Sequence, residues 1–154
     1  MYVTTHLEDR VNKILFANDL HSFETLNMLT VIKKFDLKVI ESTHTFRAGK
    51  IIFLNKHATL TKQWEHIAHE LSHILYDDGV QTMNKMYIDY REYQADLFAM
   101  YFTMPTHLLE QLPEFILNNT RYVASIFMVT EKFAQNRLNH FYNRLNKSER
   151  SFYK

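Results

Sequence analysis

Two glycines and two prolines are all that punctuate 154 residues, so this chain has few places to turn sharply. At average usage a chain of this length would carry about ten Gly and about seven Pro. The shortage favours long helices over a many-stranded sandwich. Apolar residues at 46% against 23% charged support a buried core and exclude wholesale disorder. The length suits one domain with a small helical annex. No cysteine is present, which excludes a disulfide scaffold, a thiolate metal site and a cysteine nucleophile, and fits a reducing compartment. No apolar run approaches the roughly 18 residues of a membrane span, and Met1 to Arg10 has no signal-peptide core. The expectation is a soluble, cytoplasmic, helix-rich protein without a membrane partner.

The pattern along the chain places the elements. Thr5-His6-Leu7-Glu8 reads as a capping box, with Val11, Ile14 and Leu15 on one helix face behind it. A second helix is expected from Ser22, because Phe23, Leu26, Leu29 and Ile32 recur at helical spacing. Leu37 to Ile40 and Thr43 to Arg47 read as strands, Ala48-Gly49 as a hairpin turn, and Ile51-Ile52-Phe53-Leu54 as a third strand. After Ala58 the periodicity is helical, over roughly 60–76, 88–103, 105–111, 113–127 and 130–146, with Pro105 and Pro113 where a first turn tolerates them. The expected fold class is α+β, with a small early sheet and a helical remainder.

One segment carries chemistry. Trp64-Glu65-His66-Ile67-Ala68-His69-Glu70-Leu71-Ser72-His73 contains His-Glu-x-x-His at 69–73. Residues i and i+4 of a helix lie one above the other, so both imidazoles project toward one point. That separation suits one Zn2+ per chain, with Zn–N bonds of about 2.0–2.1 Å. Glu70, turned by about 100°, can reach a water at the ion without ligating it, the place of a general base. Trp64, Ile67, Ala68, Leu71, Ile74 and Leu75 form an apolar stripe nearly opposite the histidines, so one face anchors in a core while the other faces a cleft. The plainer reading, two surface histidines on an ordinary helix, does not account for that arrangement.

A third ligand must come from elsewhere. The continuation with Gly at 76 and His at 79 fails, because Tyr76 and Gly79 stand there. Glu92 is the better candidate. Glu92, Ala95, Asp96 and Ala99 fall on one helix face, and the two alanines let this helix approach the histidine helix closely. Asp96, one turn on, is placed to accept a hydrogen bond from a ligand histidine. Asp77, Asp78, Asp96 and His107 are the alternatives for the third ligand. His66 shares the face of His69, but it lies seven residues from His73, about 10 Å of helical rise, too far for one ion. It is expected in the cleft wall as a transition-state donor or as a solvated histidine. Tyr76 and Tyr93 are further donor candidates, with Tyr87, Tyr90, Tyr101 and His107 beside them.

In order along the chain, Ile51-Ile52-Phe53-Leu54-Asn55, His69-Glu70-Leu71-Ser72-His73, Glu92-Tyr93-Gln94-Ala95-Asp96-Leu97-Phe98-Ala99 and Met104-Pro105 resemble the ImmA/IrrE family of zinc metallopeptidases. The resemblance covers about residues 35–145, and the paired motifs are far more specific than either alone. It implies zinc held by His69, His73 and Glu92 with Glu70 as catalytic base. The expected fold is a zincin-like α+β metallopeptidase domain over residues 1–112, with a helical, helix-turn-helix-like region over 113–154 packed on it. The resemblance further implies a protein substrate, a helix-turn-helix repressor of a phage or integrative element. The chain departs from the family pattern at Ser72, commonly Gly, and at Asp96, frequently Asn; both changes leave the ligands intact.

The tail and the third strand carry two more expectations. Residues 121–154 hold seven Lys and Arg against two Asp and Glu, a basic end on an otherwise acidic body. Yet the basic residues cluster only as Arg144 with Lys147 and Arg150 with Lys154, and the whole chain carries +1, so nucleic acid is not the expected partner. Bracing the fold is the favoured role of the tail, docking to substrate or DNA the other. Ile51 to Leu54 is expected to be the sheet edge lining the cleft, where an extended substrate segment adds by main-chain pairing. A central strand that fills the core is the plainer reading of four consecutive apolar residues. Two other function classes stay open: a non-catalytic anti-repressor that acts by binding, with structural zinc, and a DNA-binding regulator. A general base is of no use to the first, and near-neutral charge argues against the second.

Overall fold

Thr5 starts the first helix as its pattern predicts. Its hydroxyl accepts from the Glu8 N–H at 3.1 Å while the Glu8 carboxylate accepts from the Thr5 N–H at 3.4 Å, and α1 (His6–Ala17) follows. The computed structural model describes residues 2–77 and 84–152, and the side chains up to 147. The helix expected from Ser22 begins only at Met28, as α2 (Met28–Lys34), with Asn27 as its N-cap. The reason is local. Ser22 Oγ and Thr25 Oγ1 lie 2.8 Å apart, and each also accepts from the other's backbone N–H, an alternative to the helical pattern. Phe23 and Leu26 therefore pack on the core from a turn.

The sheet holds β1 (Lys38–Ser42), β2 (Phe46–Ala48) and β3 (Ile51–Asn55) in the order β1-β3-β2. Gly49, at φ +59°, supplies the left-handed residue of the β2–β3 turn. β3 runs parallel to β1 and antiparallel to β2, with Ile52 opposite both Val39 and Arg47. This corrects the edge-strand expectation for Ile51, Ile52, Phe53 and Leu54. The strand is central, its main-chain groups face partners on both sides, and Ile52 and Leu54 are buried. The short β2 folds back over the outer side of β3 and takes the edge itself.

Thr59 then caps α3 (Leu60–Tyr76), the range its periodicity predicts. Trp64, Ile67, Ala68 and Leu71 of the apolar stripe are buried, while Ile74 is half-buried and Leu75 emerges into solvent. The helix expected from residue 88 starts three residues earlier, as α4 (Lys85–Thr103), because Asn84 accepts from the Met86 N–H at 2.9 Å. Next come α5 (Thr106–Leu109) and α6 (Glu114–Leu117). The helix expected over 113–127 is broken at Asn118 and Asn119, whose second side chain caps α7 (Thr120–Phe127). Met128 takes the left-handed conformation at φ 57°, Thr130 accepts from the Phe133 N–H, and α8 (Glu131–Phe152) runs on beyond its expected end. The side chain of Arg150, and Lys154 entirely, lie outside the described residues. One buried cluster joins α1, β3, α3 and α4 to α7 and α8. Among the described residues, no helix is long and apolar enough to cross a membrane.

A buried ion ties the last helix to the first. Arg137 is 0% exposed. It donates to the Met104 carbonyl and to Thr106 Oγ1, both at 2.9 Å, lies 3.9 Å from the buried Glu8 carboxylate, and stacks over the Tyr101 ring. Removing one partner of such a pair leaves the other charge buried and uncompensated. Arg137→Ala should therefore lower the unfolding free energy by about 3–5 kcal/mol in denaturant titrations. Joint replacement with Arg137→Met and Glu8→Gln should recover much of the loss; a loss under about 1 kcal/mol for Arg137→Ala would show the pair to be inessential.

Candidate metal centre

The centre is built where α3 and α4 pack side by side. Ala95 and Ala99, both buried, bring the α4 backbone close, and Glu92 then stands over the histidine face of α3. His69 and His73 lie one turn apart with their Nε2 atoms separated by 3.3 Å. Glu92 Oε2 is 3.0 Å from His69 Nε2, and Glu92 Oε1 is 2.9 Å from His73 Nε2. Ligand atoms on a tetrahedral Zn2+ with bonds of about 2.0–2.1 Å lie about 3.3 Å apart. The three donors converge at nearly that spacing, and among the described residues they are the one group of three that does so.

Both imidazoles are held from behind. His69 Nδ1 is 2.9 Å from Asp96 Oδ1, and His73 Nδ1 is 2.7 Å from Asp77 Oδ2. A carboxylate at Nδ1 selects the tautomer that leaves Nε2 free to ligate and fixes the ring plane. Burial raises the Asp77 pKa, but hydrogen bonds from Arg91 and His73 outweigh it and hold the carboxyl below its ordinary value. Both Nε and Nη2 of Arg91 donate to Asp77 Oδ1. Glu70 stays out of the ligand group. Its Oε2 accepts from Arg47 Nε at 3.0 Å, across from the edge strand β2. Beside His69, a cleft of about 440 Å³ opens between α3, α4 and α8, lined among others by Asp96, Met100 and Phe133.

The other candidates fall elsewhere. His66 makes no hydrogen bond with any of these groups among the described residues; its Nδ1 is buried without a partner, and burial followed by the charge of Lys62 lowers its pKa. The ring of Tyr76, a donor candidate, packs edge-on to Phe98 with the Arg10 guanidinium 5.0 Å from its centroid, and burial raises its pKa. Tyr76 lies three residues past His73, on the histidine side of α3. Tyr93 is 59% exposed, because one residue past Glu92 a helical side chain has swung away. Tyr87 and Tyr90 are also exposed, and the Tyr101 hydroxyl pairs with His140 Nε2 at 2.6 Å inside the fold. His107 bonds the His21 carbonyl and packs by Phe16, and Asp78 lies outside the described residues. Sequence reasoning missed the roles of Asp77, Arg91 and Arg47. Only Asp77 carried a signal, its i+4 spacing from His73.

A family model described as Peptidase M78, the IrrE N-terminal-like domain, matches residues 23–139. The chain belongs to this family. The matched range encloses the sheet, α3, α4 and every residue of the metal centre, and leaves α1 before it. Two relatives come from Bacillus subtilis (strain 168). The phage-like element PBSX protein XkdA is 32% identical over 152 residues, which covers 91% of this chain and 75% of that protein. The uncharacterized protein YqaB is 30% identical over 152 residues, 94% of this chain and 88% of that protein. Membership of Peptidase M78 suggests a metallopeptidase role, and the His, His and Glu donor set could hold the metal that such a role needs.

Proposed function

We propose that the chain is a zinc-dependent endopeptidase with a zincin-like active site, and that its substrate is a helix-turn-helix repressor of a phage or mobile element in the cytoplasm. The observation that carries the reading is a carboxylate, Glu70, beside a donor set that it does not join. Two histidines and a glutamate are three protein ligands, the number that leaves a catalytic ion an open fourth position. Bound there, Zn2+ would acidify water and polarise the scissile carbonyl. Glu70 takes a proton from the attacking water, the carbonyl carbon gains the oxygen, the C–N bond breaks, and Glu70 returns the proton to the leaving amine. His69 and His73, held by Asp96 and Asp77, keep the geometry fixed through the cycle. The edge strand β2 offers its unpaired side to an extended segment, so substrate pairing belongs there rather than on β3.

The substrate reading is supported by the resemblance of the motifs and by a relative whose name places it in a phage-like element. The test is to incubate the purified chain, with and without zinc, with the repressor encoded beside its gene. A single zinc-dependent cut is expected. Loss of repressor function without a cut would favour an anti-repressor that acts by binding, and DNA binding by the chain alone would favour a regulator.

A further inference from the structure

We infer that Arg47 is the positioning residue for the base, a role that rests on the peptidase reading above. Arg47 sits in the middle of the edge strand β2, opposite Ile52 of β3, and its side chain crosses to α3. Two parts of its fork donate hydrogen bonds, and the third faces a carboxylate. Nε donates to Glu70 Oε2 at 3.0 Å, Nη1 donates to the Gly49 carbonyl at 2.7 Å, and Nη2 lies 3.7 Å from Asp77 Oδ2. The pair is sheltered, with the Arg47 and Glu70 side chains 25% and 16% exposed.

The arrangement divides the two oxygens of Glu70. Oε2 is anchored, while Oε1 makes no hydrogen bond among the described residues and is the oxygen left to accept a proton. A free glutamate on a helix samples several rotamers, and fixing one pre-organises it for transfer. Arginine suits the task because its guanidinium stays protonated, so it orients the carboxylate without giving it a proton. The same fork reaches Asp77, which holds His73. One side chain on the strand edge thus links the base to the support of a metal ligand. The left-handed Gly49 sets the turn whose carbonyl holds Nη1.

The test uses the full chain with Arg47→Ala, Arg47→Lys and Glu70→Gln. In metal-free protein, the 15N-labelled Arg47 Nε–H signal should be resolved and protected from exchange, and Glu70→Gln should move it toward the position of free arginine; no movement overturns the contact. In cleavage of the repressor encoded beside the gene, Arg47→Ala should lower kcat about tenfold or more with KM and bound zinc nearly unchanged. Arg47→Lys should restore part of kcat, and added guanidinium should rescue Arg47→Ala. An unchanged kcat, a loss carried by KM, or a parallel loss of zinc overturns the positioning role. If Glu70→Gln is inactive while Arg47→Ala is fully active, this inference alone fails. If the parent chain cuts nothing, or Glu70→Gln cuts normally, the peptidase reading fails and the inference falls with it.

Discussion

Glu70→Gln should leave the chain folded and its zinc bound while cleavage falls by at least about a hundredfold, the contribution typical of a general base. The amide matches the carboxylate in size but loses the charge that pairs with Arg47, and α3 and its packing are undisturbed. It has no basic site for a proton at working pH. The metal should stay because His69, His73 and Glu92 form the donor set without Glu70. Three measurements on one sample decide the matter: zinc stoichiometry, melting temperature and cleavage rate. Unimpaired cleavage would remove Glu70 from the mechanism, and loss of zinc would make it a ligand. If Glu70→Gln still disables the repressor without cutting it, binding rather than hydrolysis is the activity.

Removing a donor should act on the metal first. His69→Ala, His73→Ala and Glu92→Ala should each take zinc from one per chain to near none, and cleavage with it. Chelation of the parent chain should also lower its melting temperature. A ligand at a hundred times its Kd stabilises the folded state by about 2.7 kcal/mol. For a chain of this size, each kcal/mol moves the midpoint by about 2–4 °C, so a fall on the order of 5–10 °C is expected when zinc is withdrawn. The physical cause is that α3 supplies two donors and α4 the third, so an ion held there would tie together the helices that carry the core. Full zinc retention by Glu92→Ala would move the third ligand to Asp96 or Asp77, which stand at the outer nitrogens of the two rings. Calorimetry with and without chelator, beside metal analysis of each variant, separates these outcomes.

What the amino-acid sequence determined by itself is what depends on near neighbours. The cap at Thr5, the span Leu60–Tyr76, the shared face of His69 and His73, and the common face of Glu92, Ala95, Asp96 and Ala99 follow from i, i+3 and i+4 spacings within one helix. Local chemistry also decided some points against the periodicity. Ser22 with Thr25 kept α2 from starting early, and Asn118 with Asn119 divided the helix expected over 113–127. Tertiary structure alone decided the rest. Four apolar residues at 51–54 make a strand wherever they sit, but whether that strand is central depends on where β2 folds. Arg47 meets Glu70 across 23 residues of chain, and Arg91 meets Asp77 across 14, distances at which no period of helix or strand relates two side chains. Nor does helical periodicity mark Arg137 as the charge to be buried beside Glu8, 129 positions away. Such pairings are fixed only when the core closes, because burial is what makes a charge without its partner too costly to keep.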